Sequence, residues 1–582
     1  MDVLSSELYS IKRVQSALQV LATTLHLTSY LYPQQALVSD GDVFDYIVVG
    51  AGSAGCVIAN RLTEDPRTRV LLVEAGGDPP MESVLPGLMS YLKHSAEDWN
   101  YTSAYDGYSQ QCHVPPVADI TRGKMLGGCS SINYMDYVRG NPHDYNTWAN
   151  ITKDDTWKYE NVLPYFIKSE RLEDPNIFKT PYAQFHGRNG YLSVTRQYAN
   201  VTHKYLKAFS ELGHNIVFDT NGDYTLGYSE PMLTMADGYR QSTATAFLSP
   251  IKTRPNLYVL KNTLVTKINF DKYDNAISIE AIKENDKKII IMANKEIIVS
   301  AGTINSAQLL MLSGIGPKNH LESLGINVVS DLPVGENLQD HITGITVYAM
   351  DKKESYRLPK NPHDYPLAKV VGYVAMNESQ SYPDYQTLSF ITDADSILQL
   401  CTFTYNFKNE ICASFYNQLK GREVMFSHIV LLHPKSRGRI LLRSVNPYDY
   451  PLIYTGHLSN PADLETLAAY IKDFNRVRTT NYFKEVKANF LVPSSCSIYE
   501  PDSKEYWKCH ALCLAMSVYH YAGTCSMGSV VDGRLRVFGV QRLRVADASV
   551  LPTITSGNTN APIIMVAEKV ADFIKADNIH VN

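Results

Sequence analysis

The hydrophobic pattern near the start of the chain predicts a strand, a helix and a second strand in close succession. A short apolar run from Tyr46 to Val49 is rich in β-branched residues, as in a strand buried on both faces of a parallel sheet. Apolar residues then recur at helical spacing, and Val70 to Val73 forms a second apolar run that ends at Glu74. The helical positions are Ala54, Val57, Ile58 and Leu62. The pattern is a βαβ unit.

Three glycines, Gly50, Gly52 and Gly55, lie between the first strand and the helix in the spacing G-x-G-x-x-G. In such a turn the first glycine permits the sharp bend, the second lets the backbone approach a pyrophosphate, and the third allows close packing of helix on strand. Glu74 stands where an acidic residue accepts hydrogen bonds from ribose hydroxyls. The turn therefore predicts a dinucleotide site, and both FAD and NAD satisfy it.

A second patterned region lies near the other end of the chain. Residues Leu543 to Val545 read as a short buried strand, and apolar residues from Ile563 to Phe573 mark one stripe of a helix. Pro562 suits the first helical position, with Asn560 as a candidate cap. Asn558 would then stand before the positive end of the helix, whose dipole stabilises an anion such as a reduced flavin.

Two further stretches read as strands. SVYHYAG, residues 517–523, is strand-like and contains His520. Residues 426–454 hold two β-rich runs separated by Pro434 to Gly438, a hairpin-like signal that we assign to the sheet of a substrate domain.

Composition limits the classes of protein that the chain can be. Its 582 residues require two or more domains or one large discontinuous architecture. A net charge of −5 gives no sign of nucleic-acid binding. The 39 tyrosines could line a pocket, although coverage of a large surface and core rim is the more ordinary explanation.

Cysteines and the first forty residues bear on location. The nine cysteines are too few for a disulfide-dense scaffold, but Cys496 and Cys509 could close a loop. Zinc is disfavoured because Cys509, His510 and Cys513 have no matching second pair, so we expect no metal site. Residues 1–43 are an extension too polar for a membrane span, either a degraded secretory signal or an amphipathic helix. Four sequons suit a secreted glycoprotein: Asn100, Asn150, Asn200 and Asn377. We expect secretion, with the cytoplasm as the alternative.

Four ordered motifs resemble the glucose-methanol-choline (GMC) family of FAD-dependent oxidoreductases, particularly its insect branch, over residues 44–577. They are the glycine unit, TRGKMLGGCSSINYMDYVRG (121–140), AGTINSAQLLMLSGIG (301–316) with PVGENLQDH (333–341), and the region of His520 and Asn558. Two positions depart from the usual family signatures, Cys129 and Ala307. Ile132 occupies the place where choline-oxidase-like members carry a histidine bonded to the flavin, so the resemblance implies FAD held without a covalent bond.

The resemblance implies a mechanism in which His520 takes the alcohol proton while a hydride passes to flavin N5. An imidazole suits this task because its ordinary pKa lies near neutrality. Asn558 would hold the substrate oxygen, and Tyr134 and Tyr519 would flank the substrate. The remaining cofactor contacts implied are Gly50, Gly52, Ser53, Ala54, Gly55, Glu74, Ala75, Gly128, Asn133, Met135, Val265, Asp547, Ala548 and Asn560.

The predicted fold is α/β, with a Rossmann-like FAD-binding domain that is discontinuous in sequence and a substrate domain whose antiparallel sheet roofs the flavin. We expect residues 44–150, 236–335 and 514–577 in the FAD-binding domain, and residues 151–235 and 336–513 in the substrate domain.

The function expected from the resemblance is oxidation of a primary or secondary alcohol, with O₂ or a quinone taking the electrons. Ecdysteroids, sugars and aryl alcohols are the substrates that the insect branch suggests. Two alternatives remain at this point: an FAD-containing lyase of the hydroxynitrile type, and a non-catalytic relative kept for binding. The presence of both His520 and Asn558 disfavours the second. The sequence does not determine the oligomeric state.

Overall fold

The computed structural model describes residues 31–223, 226–284, 286–351 and 361–578, and over these the chain is a mixed α/β protein built on two large sheets. The predicted α/β fold class is confirmed, including the antiparallel sheet. The predicted N-terminal helix or signal falls largely in residues 1–30, which lie outside the described residues.

The first large sheet carries the βαβ unit predicted from the sequence. Its strands are β1 (Val43–Val49), β2 (Val70–Val73), β11 (Leu257–Leu260), β12 (Thr263–Phe270), β13 (Ala276–Lys283), β14 (Lys288–Val299) and β25 (Leu543–Val545). Five of them run parallel in the order β11, β2, β1, β14, β25, and an antiparallel meander of β12 and β13 continues from the first half of β14.

Burial on both faces explains the continuous apolar runs of β1 and β2. Every residue of β2 is buried, and the sheet lies in a core that extends from its helices to the last helix of the chain. The bounds predicted for β2 and β25 agree with the structure.

The second large sheet is antiparallel throughout. Its strands are β7 (Gly227–Ser229), β17 (Ile342–Met350), β18 (Ala368–Val374), β19 (Tyr385–Thr392), β20 (Glu423–Leu431), β23 (Asn489–Leu491) and β24 (Ala515–Ser517). Their order is β23, β17, β20, β19, β18, β7, with β24 on the same edge of β17 as β23.

Alternate residues along these strands enter two different cores, as period-2 side chains require. On β19, Tyr385 and Ile391 pack with the outer helices, whereas Leu388 and Phe390 pack on the opposite face with Val138 and Tyr519. Both faces of the sheet are therefore covered.

The remaining described strands are short. They are β3 (Tyr101–Thr102), β4 (Asp119–Ile120), β5 (Glu170–Leu172), β6 (Leu192–Arg196), β8 (Met232–Leu233), β9 (Met235–Ala236), β10 (Tyr239–Arg240), β15 (Ile315–Gly316), β16 (Ser330–Asp331), β21 (Arg439–Leu441) and β22 (Leu452–Tyr454).

The α-helices of the described residues are α1 (Gly55–Leu62), α2 (Met81–Val84), α3 (Pro142–Thr152), α4 (Tyr159–Ser169), α5 (Thr202–Glu211), α6 (Gly302–Leu312), α7 (Lys318–Ser323), α8 (Ala394–Gln399), α9 (Asn409–Leu419), α10 (Pro461–Phe474), α11 (Asn481–Glu485), α12 (Lys504–Cys513) and α13 (Asn560–Asn578). None of them is long and apolar enough to cross a membrane.

Three local predictions were wrong. The two runs of residues 426–454 do not form a hairpin: β20 lies inside the antiparallel sheet, whereas β21 pairs with β22 after the chain leaves that sheet. The strand-like stretch around His520 ends at Ser517, because Tyr519 adopts a left-handed backbone with φ +65°. Helix α13 begins at Asn560, so Pro562 is its third residue.

The chain has three disulfides: Cys112–Cys513 joins distant segments, whereas Cys401–Cys412 and Cys496–Cys509 close short loops. The pairing suggested for Cys496 and Cys509 is confirmed. Because Cys509 and Cys513 are both bonded to other cysteines, the cluster around His510 has no thiolate to offer a metal. No group of three or more His, Cys, Asp or Glu side chains suited to a metal occurs among the described residues.

Candidate active site

A single cavity of about 840 Å³ runs from the glycine turn to His520. Its walls come from both ends of the chain, because β1, β2 and the residues before α13 meet at the carboxyl edge of the first sheet. This edge is where parallel α/β sheets bind their ligands.

The glycine turn has the geometry that its spacing predicts. Gly50 has φ +97°, and its N–H donates to the Val73 carbonyl at 2.8 Å. A β-carbon at Gly55 would lie 1.9 Å from the Gly50 carbonyl oxygen, so this position must be glycine for the helix to pack. At Gly52 the nearest protein atom would be 3.9 Å from a β-carbon, and the residue faces the cavity. The turn thus leaves its open side to a ligand.

Glu74 is buried at the end of β2 and lines the same cavity. Its carboxylate accepts hydrogen bonds from the N–H of Ala51 at 2.8 Å and of Gly76 at 3.0 Å. Burial raises the pKa of Glu74 to about 7, although these two N–H groups oppose the rise. A carboxyl group held in this way fits a ribose hydroxyl, which can donate a further hydrogen bond.

All but one of the other predicted cofactor residues line the cavity as well. The exception is Gly55, which packs beneath the turn. The lining includes Gly50, Gly52, Ser53, Ala54, Glu74, Ala75, Gly128, Asn133, Met135, Val265, Asp547, Ala548 and Asn560.

Several of these side chains already have partners within the protein. Asn133 Oδ1 accepts from the N–H of Met135 at 3.0 Å and from Arg240 at 2.9 Å. Asp547 accepts from Ser306 at 2.6 Å and from the Gly302 N–H at 2.9 Å. These bonds fix the loops around the cavity, and the remaining polar atoms of Asn133 and Asp547 can still contact a cofactor.

Two close approaches join segments that are separated in the sequence. The Ser53 hydroxyl donates to Asn560 Oδ1 at 2.8 Å, which joins the glycine turn to the start of α13. A β-carbon at Gly128, whose φ is +49°, would lie 2.7 Å from the Gly52 α-carbon. The floor of the cavity is therefore assembled from segments that are hundreds of residues apart.

His520 and Asn558 lie side by side in the cavity wall. Asn558 Nδ2 and His520 Nε2 are 3.2 Å apart, and the backbone N–H of His520 donates to Asp340 at 2.9 Å. Tyr134 and Tyr519 line the cavity too. The structure thus brings together all four residues for which the sequence suggested catalytic or substrate roles.

The surroundings of His520 keep its imidazole neutral. Burial lowers the pKa of His520 to about 3, with a further contribution from the Arg122 guanidinium. Arg122 donates to the carbonyl of Tyr519, the residue before His520, at 2.5 Å, so the guanidinium is held near the histidine. A neutral imidazole has one basic nitrogen and can accept a proton from an alcohol.

Sequence reasoning missed two partners of this pair. His341 Nδ1 lies 2.9 Å from His520 Nδ1, and Gln386 Nε2 donates to Asn558 Oδ1 at 3.1 Å. His341 ends the quoted motif PVGENLQDH and could have been suspected from it. Gln386 lies on the strand β19 without any local signal, so only the fold reveals it.

The donor set and shape fit FAD. The glycine turn, the buried Glu74 and the open side of Gly52 suit the adenosine and diphosphate, while Ile132 and Cys129 line the cavity near Gly128. A nicotinamide dinucleotide would use the same turn, so the turn alone does not choose between the two cofactors.

Comparison with known proteins identifies what the chain is similar to. Two family profiles, both described as GMC oxidoreductase, match residues 44–343 and 434–567. An ecdysone oxidase of Bombyx mori is 39% identical, with 96% of this chain and 86% of that protein covered. A glucose dehydrogenase [FAD, quinone] of Drosophila melanogaster is 35% identical over 91% of this chain and 87% of that protein.

Among solved structures, pyridoxine 4-oxidase from Mesorbium loti superposes with a TM-score of 0.78. Its sequence is 24% identical, and the match covers 92% of this chain and 99% of that one. At this identity the likeness concerns the fold.

Proposed function

Because the chain belongs to the GMC oxidoreductase family, we propose that it is an FAD-dependent enzyme that oxidises the CH–OH group of an alcohol to a carbonyl. The observation that carries the proposal is the placement of a neutral His520 beside Asn558 in the cavity that contains the glycine turn. Family membership favours FAD over NAD for that turn. When bound, FAD supplies the redox chemistry by accepting a hydride at N5.

The residues of the chain would divide the remaining work. Glu74 and the glycine turn would hold the adenosine end of FAD, with Asn133, Asp547 and Ala548 along the rest of the cavity. His520 Nε2 would accept the hydroxyl proton, since Nδ1 is engaged by His341 and Nε2 lies beside Asn558, which also lines the cavity and can share the alcohol oxygen. Asn558 carries a second N–H on the same nitrogen, which can donate to that oxygen as its negative charge develops.

A bulky secondary alcohol of the ecdysteroid type is the substrate that we favour. The ecdysone oxidase relative covers nearly the whole chain at the higher identity, and Tyr134 and Tyr519 give the cavity amphipathic aromatic walls. Sugars and aryl alcohols are the competing classes. The same relative favours O₂ as electron acceptor, and the glucose dehydrogenase relative makes a quinone the competing acceptor.

We further propose that FAD is held without a covalent bond, since Ile132 has no nucleophilic atom to bond the flavin. The domain limits given above are proposed on the same footing, with one adjustment near residue 514: β1, β2, β11–β14 and β25 belong to the FAD-binding domain, and the antiparallel sheet, including β24, belongs to the substrate domain.

The test is anaerobic reduction of the bound flavin by ecdysteroids, sugars and aryl alcohols, followed by reoxidation with air or a quinone. We expect at least one alcohol to bleach the flavin, and His520→Ala to slow the bleaching about a hundredfold or more, as for a lost general base. His203→Ala, on the exposed side of α5, is the matched control and should reduce at the normal rate.

Two outcomes would contradict the proposal. A flavin that stays oxidised with every alcohol, while a hydroxynitrile is cleaved, would make the protein a lyase. An unchanged reduction rate in His520→Ala would remove this histidine from the mechanism.

We also propose that the protein is exported through the secretory pathway. Six of the nine cysteines form disulfides, which persist in oxidising compartments, and all four sequon asparagines are exposed.

A further inference from the structure

One hydrogen-bonded chain crosses the active site from the antiparallel sheet to the backbone at the end of β20. Its five links measure 3.1, 3.1, 3.2, 2.9 and 3.2 Å. It runs through Tyr373, Gln386, Asn558, His520, His341 and the carbonyl of Leu432.

The carbonyl end of this chain fixes the proton positions. Leu432 can only accept, so the proton of a neutral His341 must be on Nε2, which leaves its Nδ1 bare. The Nδ1–H of His520 must then donate to His341, and Nε2 of His520 is bare in turn. Burial and the neighbouring His520 lower the pKa of His341 well below its usual range, so both rings are neutral.

A bare Nε2 on His520 requires Asn558 to present its N–H groups to it. The Asn558 carbonyl oxygen must therefore point the other way, toward Gln386. The nitrogen and oxygen of a carboxamide have nearly the same shape, so packing does not select between the two orientations. The hydrogen-bond partners at the two ends of the amide do so: the bare Nε2 of His520 on one side and the donor Gln386 Nε2 on the other.

We infer that Gln386 is a positioning residue for alcohol oxidation: it holds the Asn558 amide with its N–H toward His520 and so favours the tautomer in which His520 Nε2 carries no proton and can take one from the substrate. This inference rests on the proposed function.

The location of Gln386 suits that task. Its side chain is fully buried on β19, with β18 and β20 bonded on either side, whereas Asn558 lies in the loop before α13. Its Nε2 also donates to the Tyr373 hydroxyl, and its Oε1 has no hydrogen-bond partner among the described residues. A rigid donor thus faces a side chain whose own loop does not fix its orientation.

In the variant Gln386→Glu, the ability of residue 386 to donate a hydrogen bond to Asn558 depends on pH. Burial raises the pKa of a carboxyl, as it does at Glu74 in the same protein. The titratable groups nearest position 386 are Tyr373 on β18, His520 beyond Asn558, and Asp136, which acts on Tyr373. In its protonated form the introduced carboxyl group can donate to Asn558 Oδ1, and in its ionised form it can only accept.

We expect flavin reduction in Gln386→Glu to approach the wild-type rate at low pH and to fall about tenfold or more as the carboxyl ionises. Gln386→Met should be slow at every pH, because it never donates. Ser389→Ala, a buried change on the same strand β19, should keep the wild-type pH profile. A Gln386→Glu profile that matches the wild type would overturn the inference.

A second readout needs no substrate. In the FAD-loaded protein labelled with ¹⁵N-histidine, the resonances of His520 are those missing from His520→Gln. We expect Nδ1 protonated and Nε2 bare in the wild type, and a shift of Nε2 in Gln386→Glu at the pH midpoint of its rate. If Nε2 carries the proton in the wild type, or does not shift in the variant, the inference fails. Failure of every alcohol to reduce the flavin would overturn the proposed function alone, because the ring nitrogens report independently.

Discussion

At the residue scale, the proposed activity depends on His520, whose imidazole is uncharged because it is buried in the cavity wall. Removal from water and the adjacent Arg122 both disfavour the imidazolium form of His520, and its pKa of about 3 means that the ring is unprotonated at neutral pH. The same burial destabilises its protonated form, so acid rather than alkali should disturb this part of the molecule.

Ile132 gives a prediction at this scale. Acid precipitation should release all the FAD into the supernatant, because no side chain of the usual attachment position can bond it. Cys129 also lines the cavity and is not in a disulfide, so Cys129→Ser is the matched variant. Yellow colour retained in the wild-type pellet and lost from the Cys129→Ser pellet would show a thioether link and refute the expectation.

Some residues of the candidate site could be predicted from the sequence, and others could not. Glu74 was predicted from the glycine turn and the strand before it, whereas His520 and Asn558 were predicted from the resemblance to the GMC family, and their roles stay predictions. Gln386 and the carbonyl of Leu432 contribute through orientation across strands, and no property of their neighbours in sequence encodes that.

At the element scale, two glycines of the turn between β1 and α1 have different roles: Gly55 is needed for folding, and Gly52 is expected to be needed for binding. A β-carbon at Gly55 would overlap the Gly50 carbonyl at 1.9 Å, whereas one at Gly52 would meet no protein atom within 3.9 Å. The two glycines lie three residues apart and have different reasons to be glycine.

We therefore expect Gly55→Ala to yield little folded protein, or a large fall in the melting temperature of the apoprotein. Gly52→Ala should fold with an unchanged apoprotein melting temperature but bind FAD about tenfold more weakly or worse, since its methyl group would enter the space above the turn. Thermal unfolding and FAD titration measure the two effects. Full FAD affinity in Gly52→Ala would mean that the phosphates lie elsewhere.

Strand prediction worked where burial is two-sided and failed where the backbone bends. The runs of β1 and β2 are apolar because both faces are covered. The run after Pro434 is equally β-rich, yet Gly438 and Ile440 bond to Leu338 and Gly335, which draws β21 away from β20. These partners are distant in sequence, so local periodicity could not reveal the departure.

At the scale of the whole molecule, the proposed export can be tested through the disulfides and the sequons. The disulfide Cys112–Cys513 joins residues 401 positions apart, and Cys56, Cys129 and Cys525 are the free thiols of the chain.

Protein secreted from insect cells should therefore show three reactive thiols when denatured without reductant and nine after reduction. Treatment with an N-glycosidase should increase its gel mobility, and Asn→Gln changes at positions 100, 150, 200 and 377 should remove that shift. Nine thiols without reductant, together with an unaltered mobility, would contradict export.

The contact between Ser53 and Asn560 spans 507 positions of the chain. At roughly 5–20 residues per second, a ribosome needs on the order of half a minute or more to make what lies between them. Six of the seven strands of the first large sheet are therefore made long before the last strand, β25, and the helix α13, and their apolar surface is unprotected in the meantime. Flavin loading is thus an event that follows translation, and the nascent chain is a natural client for chaperones.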